Sequence, residues 1–128
     1  MKNEIKTEGA PAPIGPYSQG VVTPGGRLLF VAGQTPKDPK TGTLPADFKA
    51  QTERTLANVK AIVEAAGATM ADVVKVNAYL SDLGNFAAFN EIYSRFFSAP
   101  YPARTTVGAF LPGGAVQVEI DVVVSLPK

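Results

Sequence analysis

The chain contains no cysteine, no histidine and no tryptophan among its 128 residues. Without cysteine it can form neither a disulfide framework nor a thiolate nucleophile. Without histidine it cannot build the usual zinc sites or the serine–histidine arrangement of many hydrolases. Any catalysis must therefore use carboxylates, hydroxyls, backbone groups, arginine, lysine or water.

Charge and long apolar runs are scarce as well. Charged residues make up 18% of the chain and the net charge is +1, so nothing favours binding to nucleic acid or to an anionic membrane. No apolar run approaches the roughly 20 residues of a membrane-spanning helix, and residues 1–6 lack the apolar core of a signal peptide. We therefore expect a cytoplasmic protein that binds neither membrane nor nucleic acid.

What remains is an ordinary globular composition, with 45% hydrophobic residues and no repeat, linker or low-complexity segment. A chain of this length suits one domain with a modest core. We expect residues 1–128 to form a single domain.

Two turn signals separate pairs of strand-like runs near the two ends of the chain. Pro24-Gly25-Gly26 lies between residues 17–23 and 28–33, which predicts a β-hairpin. Pro112-Gly113-Gly114 lies between residues 103–110 and 116–125. The last two strands would form a second hairpin if they pair about this turn.

Helical periodicity fills the middle of the chain. A helix is predicted from Asp47, as N-cap, to Ala66, with Gly67 closing it. A strand follows over residues 73–80, and a second helix over residues 85–97. The order ββαβαββ predicts an α+β two-layer sandwich, in which two helices pack on one face of a mixed sheet.

The last predicted strand has two unlike faces. Valine and isoleucine occupy the even positions from 116 to 124, and this aliphatic face should meet the helices. The odd positions carry a mixed set of side chains, of the kind that subunits often cover. We expect an oligomer on this pattern.

Arg104 interrupts a small, β-branched and otherwise uncharged run, residues 101–108. A charge on an apolar sheet needs a partner, since an unpaired buried charge is costly. In the second hairpin Thr106 would lie opposite Glu119, and Arg104 would reach Glu119 diagonally on the same face. The partner is then either Glu119, in a structural ion pair, or the carboxylate of a ligand held by the guanidinium fork.

Three further residues have roles that the sequence leaves open. Asn90 lies on the predicted aromatic face of the second helix, either as a core amide or at the edge of a ligand pocket. Tyr17 could be an aromatic side chain in a subunit interface. Gly33 could mark a β-bulge or a close backbone approach.

Several short motifs follow one another along nearly the whole chain. They are Ile14-Gly15-Pro16-Tyr17-Ser18-Gln19, Val31-Ala32-Gly33-Gln34, Asn58-Val59, Asn90 with Tyr93, Pro102-Ala103-Arg104-Thr105-Thr106-Val107, Leu111-Pro112 and Val118-Glu119-Ile120. Together these motifs resemble the RidA family, also called the YjgF family. Two positions depart from the family pattern, because Thr106 stands where many members have cysteine and Ala32 where serine is common.

The resemblance implies a chorismate-mutase-like fold, assembled as a homotrimer with three sites in the clefts between subunits. It also implies an enzyme of the imine/enamine deaminase subgroup, which uses no metal and no cofactor. Such enzymes hydrolyse 2-imino and enamine acids, such as 2-iminobutanoate and 2-iminopropanoate, to 2-oxo acids and ammonia. Their substrates are reactive intermediates released by pyridoxal-phosphate enzymes.

The same resemblance implies roles for individual residues. Arg104 would hold the substrate carboxylate with both arms of its fork. Glu119 would orient the attacking water and could act as general base. Tyr17, from the neighbouring subunit, would form a wall of the cleft. The other substrate-binding positions are Gly33, Asn90 and Thr106.

The sequence leaves two other functions open. One is a non-catalytic trimeric module that binds small carboxylates in the same cleft. The other is a translation-inhibitor-like ribonuclease, an activity linked to some members of the family. The absence of histidine and the near-neutral charge argue against a nuclease of the usual acid–base type.

Overall fold

The computed structural model describes residues 2–9, 12–13 and 15–127. Two helices pack against a four-stranded mixed sheet, so the predicted α+β class is confirmed. The chain also contains two single turns of 3₁₀ helix, Met70–Asp72 and Leu83–Asn85. The helices are α1, Phe48–Ala65, and α2, Phe86–Tyr93, and the strands are β1, Asn3–Ile5; β2, Gly20–Val22; β3, Leu28–Gln34; β4, Val73–Leu80; β5, Ala103–Gly108; and β6, Val118–Ser125.

The sheet has the strand order β3-β6-β4-β5, in which β6 runs antiparallel to both neighbours and β5 runs parallel to β4. Both predicted hairpins are therefore wrong. β2 pairs with β1 in a separate ribbon, and β6 lies two strands away from β5. The reason is that α2 joins β4 to β5 as the crossover connection that parallel neighbours require. The aliphatic β6 takes the position between β3 and β4, where both of its edges are paired.

Helix α1 begins and ends where the capping residues predict. Asp47 is the N-cap, and its Oδ1 accepts a hydrogen bond from the backbone N–H of Ala50 at 2.8 Å. Gly67 follows the helix with φ +84°, a conformation that suits glycine. The helix buries an apolar stripe against the sheet, as its periodicity predicts.

Helix α2 is shorter than predicted. Its regular part ends at Tyr93, and the next turn closes with N–H groups of Arg95 and Phe96 donating to carbonyls three residues back. This tightening is typical of helix ends. Phe89 and Tyr93 are fully buried, and Phe97 continues the aromatic row beyond the helix.

The core lies between the helices and the aliphatic faces of β4 and β6. Val76, Ala78, Leu80, Val118 and Ile120 are each 0% exposed, which confirms the predicted inward face of both strands. None of the helices in the described residues is long and apolar enough to cross a membrane.

Gln51 is a polar residue inside this core, with 1% of its surface exposed. Its Nε2 donates to the carbonyls of Pro45 and Ala115, at 3.0 and 2.9 Å. Its Oε1 accepts from the backbone N–H of Gln117 at 2.9 Å. The side chain therefore fastens α1 to the segment that leads into β6.

The opposite face of the sheet, here called the open face, has no helix over it in the described part of the chain. Phe30 is 71% exposed there, beside its cross-strand partner Val123. Val107, on the same face of β5, is 42% exposed. Apolar side chains left in water on one sheet face are typical of an interface.

Candidate functional site

Arg104 lies on β5, the edge strand, on the face that the helices cover. Its cross-strand partner is Val76, whose side chain is fully buried on that face. Four aromatic rings surround the guanidinium carbon, close enough for cation–π attraction. The distances to the ring centroids are 4.7 Å for Tyr93, 5.3 Å for Tyr17, 5.3 Å for Phe89 and 5.7 Å for Phe86.

The guanidinium of Arg104 has no carboxylate partner among the described residues. No ion pair involves it among the residues that the structure describes, and its Nη1 is buried with no hydrogen-bond partner. Burial lowers the pKa of Arg104 below its ordinary value, although the hydroxyls of Tyr93 and Tyr17 oppose this. Since a desolvated charge needs compensation, this position suits an anionic ligand.

Other unsatisfied polar atoms lie in the same part of the structure. Asn90 Oδ1, the Tyr93 hydroxyl and Thr106 Oγ1 are buried and have no hydrogen-bond partner among the described residues. Burial raises the pKa of Tyr93, so its hydroxyl stays neutral. A Cβ on Gly15 would make ordinary van der Waals contacts, 3.5 Å from Asn90 Nδ2 and 3.7 Å from Arg104 Nη2, so the chain at Gly15 lies beside this cluster.

Tyr17 is held beside Arg104 of its own chain. The backbone N–H of Ser18 donates to the carbonyl of Pro102 at 3.0 Å, and Ser18 forms a β-bridge with Ala103. These contacts fix the residue next to Tyr17 against the start of β5. Tyr17 therefore lies beside Arg104 within one chain, and its place in the wall of a cleft between subunits stays a prediction.

Glu119 belongs to the open face. It pairs with Tyr79 across β6 and β4, and none of the described residues hydrogen-bonds to its carboxylate or forms an ion pair with it. Its side chain lies directly over Gly33, where a Cβ would stand 2.3 Å from Glu119 Oε2. Gly33 also falls in a register shift between Val31 and Gln34. Both interpretations of Gly33, a bulge and a close approach, therefore hold.

Arg104 and Glu119 do not meet within one chain, so the expected diagonal pair is wrong. They are separated by two strand spacings and three residues, which puts their Cα atoms about 14 Å apart. Their side chains also point to opposite faces of the sheet. The intrachain ion pair is excluded, and the two groups mark two candidate half-sites, here called the Arg104 half-site and the Glu119 half-site.

The sequence and the fold match known proteins over almost the full chain. The family described as Endoribonuclease L-PSP matches residues 7–126. The 2-iminobutanoate/2-iminopropanoate deaminase of Escherichia coli is 45% identical, over 96% of this chain and 97% of that protein. The chain belongs to the RidA family. Other relatives carry only the name RutC family protein.

Solved structures agree with this membership. RidA from an Antarctic Psychrobacter is 43% identical, with a TM-score of 0.76 over 97% of this chain and 99% of that one. Escherichia coli TdcF with bound serine is 42% identical, with a TM-score of 0.76 over 98% and 99% of the two chains.

This RidA-family chain carries two features near the half-sites that the residue pattern alone does not predict. Phe86, Phe89 and Tyr93 lie on the predicted aromatic face of α2, and they also enclose Arg104. On the open face, Asp121 accepts hydrogen bonds from Asn77 and Tyr79. The alternation of residues along β4 and β6 places all three polar residues on one face. The cluster could be predicted from the sequence only if β4 and β6 were known to be paired.

Proposed function

We propose that the protein hydrolyses 2-imino and enamine acids, such as 2-iminobutanoate and 2-iminopropanoate, to 2-oxo acids and ammonia. The observation that carries the proposal is the Arg104 guanidinium, desolvated among four rings and without a carboxylate partner in the described residues. A small carboxylate would supply the missing charge. The deaminase name of a relative and the serine bound by TdcF support a substrate with a carboxylate and a nitrogen on the same carbon.

We further propose that the active unit is a homotrimer of chorismate-mutase-like subunits, with sites between them. Arg104 lies at the sheet edge, and Glu119 lies on an open face with exposed apolar side chains. One chain cannot bring both groups to one small molecule across about 14 Å. A site that uses both groups therefore needs Arg104 of one copy and Glu119 of another.

The chemistry needs a proton, a water molecule and no strong nucleophile. An enamine acid takes a proton on its β-carbon, or an imine acid takes one on nitrogen, and either gives an iminium. Glu119 accepts a proton from water while the water oxygen bonds to the iminium carbon. Glu119 then passes this proton to the nitrogen. The C–N bond breaks as the C=O bond forms, ammonia leaves, and Glu119 takes the hydroxyl proton to give the 2-oxo acid. Arg104 fixes the carboxylate, so the reacting carbon stays in place.

The remaining site residues shape the cleft. Tyr17 forms its wall beside Arg104, and Asn90 and Thr106 line the same half-site with buried polar atoms. Gly33 leaves room for the Glu119 side chain.

The proposal is tested by following an imine produced by an L-amino-acid oxidase and trapped with semicarbazide. The wild-type protein is expected to speed imine loss, and Arg104→Ala to lose the effect. Arg95→Ala is the matched control, because Arg95 is an exposed arginine outside both half-sites. Equal rates for wild type and Arg104→Ala contradict deamination. Arg104-dependent binding of 2-oxobutanoate without turnover would identify a carboxylate-binding module instead.

The shared site is tested by mixing two inactive variants, Arg104→Met and Glu119→Gln. Unfolding and refolding them together is expected to restore about a quarter of wild-type activity, because random assembly then combines one intact Arg104 with one intact Glu119 in that share of sites. Each variant refolded alone is the control. A mixture as inactive as its components would contradict a site shared between copies.

Ribonuclease activity is a second candidate only because of the description of the matching family. A nuclease of the usual acid–base type would have to work without histidine. Incubating the same preparations with single-stranded RNA checks it, and cleavage that persists in Arg104→Ala would mark an activity apart from the proposed site.

A further inference from the structure

Asp121 is a charged residue that has no role in the reaction proposed above. It lies two residues beyond Glu119 on β6, so both carboxylates are on the open face, about 7 Å apart along the strand. Asn77 Nδ2 donates to Asp121 Oδ1 at 2.8 Å, and the Tyr79 hydroxyl donates to Oδ2 at 3.1 Å. Because both oxygens accept hydrogen bonds, the carboxylate is fixed in position.

Few groups on this face oppose the charge of Asp121. Besides Asp121, the titratable residues that β3, β4, β5 and β6 place on the open face are Lys75, Tyr79 and Glu119. Lys75 turns toward β5, where its Nζ donates to Thr105 Oγ1 at 2.9 Å. No ion pair involves Asp121 in the described ranges.

Tyr79 shows that the two carboxylates share one environment. Its pKa is raised above the ordinary value, first by the hydrogen bond to Asp121, then by burial and by the charges of Asp121 and Glu119. The hydroxyl therefore stays neutral and lies near both carboxylates. The Glu119 half-site thus combines one carboxylate that is free to bind water with a second that is held beside it.

We propose that Asp121 provides a fixed negative charge that favours the cationic iminium form of the substrate beside Glu119. This inference rests on the proposed function, in which the substrate carboxylate binds Arg104 and the nitrogen-bearing carbon faces Glu119. The proton that makes the carbon reactive also makes the nitrogen positive, and a nearby carboxylate attracts that charge without touching it. The 2-oxo acid product carries a neutral carbonyl in place of the iminium, so Asp121 does not slow its release.

The test compares two small ligands by isothermal titration calorimetry. L-Serine carries an ammonium group next to its carboxylate, whereas 2-oxobutanoate carries a neutral carbonyl there. Asp121→Asn keeps the shape of the side chain and removes its charge. We expect it to weaken L-serine binding about tenfold, because a nearby unit charge that attracts the ammonium group is lost from a partly solvated site. Affinity for 2-oxobutanoate is expected to stay within about twofold.

Tyr79→Phe is the matched control, because it removes one hydrogen bond and keeps the charge of Asp121. We expect both ligands to bind it within about twofold of wild type. If Tyr79→Phe changes the serine preference as much as Asp121→Asn, the hydrogen bonds and not the charge are responsible, and the inference is overturned. Unchanged serine binding in Asp121→Asn overturns it as well.

Ligand selectivity is measured without turnover, which separates this inference from the proposed function. A wild-type protein that selects L-serine through Asp121 but releases no ammonia would contradict deamination and keep the role of the charge. A wild-type protein that binds neither ligand would overturn both. In turnover, Asp121→Asn is expected to move the alkaline limb of kcat about one pH unit lower, since a tenfold loss equals one pKa unit of the bound iminium.

Discussion

Gly33→Ala is expected to remove most of the activity and leave the fold intact. A Cβ at this position would stand 2.3 Å from Glu119 Oε2, 3.1 Å from its Cδ and 3.4 Å from its Cγ. Ordinary carbon–oxygen contact begins near 3.4 Å, so the carboxylate must move by about 1 Å. The atom in the way belongs to the end of a flexible side chain, and it yields by rotating.

The consequences for rate and for stability differ. A displacement of about 1 Å of a group that positions water is expected to lower kcat/KM about 100-fold. Gly33 is exposed and its φ is not positive, so alanine fits the backbone. Because alanine also restricts the unfolded chain, the free energy of unfolding is expected to stay level or to rise by about 0.5 kcal/mol.

The assay combines imine loss, followed with semicarbazide, with urea denaturation of the same preparation. Gly114→Ala is the control, since a Cβ there meets nothing within 4 Å and φ is again not positive. Full activity in Gly33→Ala would refute the reasoning, because Glu119 would then not depend on its place over Gly33. A large loss of stability would show that the glycine serves the strand instead.

Three further perturbations test other contacts in the structure. Arg104→Met is expected to abolish activity while the free energy of unfolding holds or rises, because a desolvated charge leaves and the alkyl stem stays; a marked fall in urea denaturation would contradict this. Gln51→Ala is expected to lower that free energy by about 2–4 kcal/mol, since three backbone groups lose their buried partner, and an unchanged melting temperature would argue against it. Asp38 has a lowered pKa because the N–H groups of Thr41 and Lys40 donate to it. The stabilisation that ionised Asp38 gives to the folded state is therefore present above the ordinary pKa of 3.8 and lost as the pH falls below it. Hydrogen exchange at the amides of residues 40 and 41 that shows no loss of protection at low pH would contradict this.

Local signals in the sequence predicted the middle of the chain well. The bounds of β4 match the prediction, and α1 begins and ends within a residue or so of it, because an N-cap, a closing glycine and a regular apolar stripe act over short distances. The strand pairings could not be predicted in this way. Turns at residues 24–26 and 112–114 indicated where strands end, but not which strands become neighbours.

The site shows the same division. Each candidate residue was recognised by type, and the buried, unpaired state of Arg104 follows from its apolar surroundings. Its relation to Glu119 depended on the pairing of β5, which was assigned to the wrong neighbour. A hairpin of β5 with β6 would put Arg104 and Glu119 on the same face of the sheet. The parallel pairing of β5 with β4 puts them on opposite faces. The three rings that α2 places around Arg104 are visible in the sequence only as an apolar aromatic stripe.

The central place of β6 has a consequence for synthesis of the chain on the ribosome. β3, β4 and β5 all emerge before it, yet β3 has no other neighbour in the four-stranded sheet. Until residues 118–125 leave the exit tunnel, the inner face of α1 has only part of a sheet to cover it. The nascent chain therefore exposes apolar surface until then, which makes it prone to aggregate. A translation product that stops just before residue 118 would be an unfolded chain rather than a slightly shorter protein.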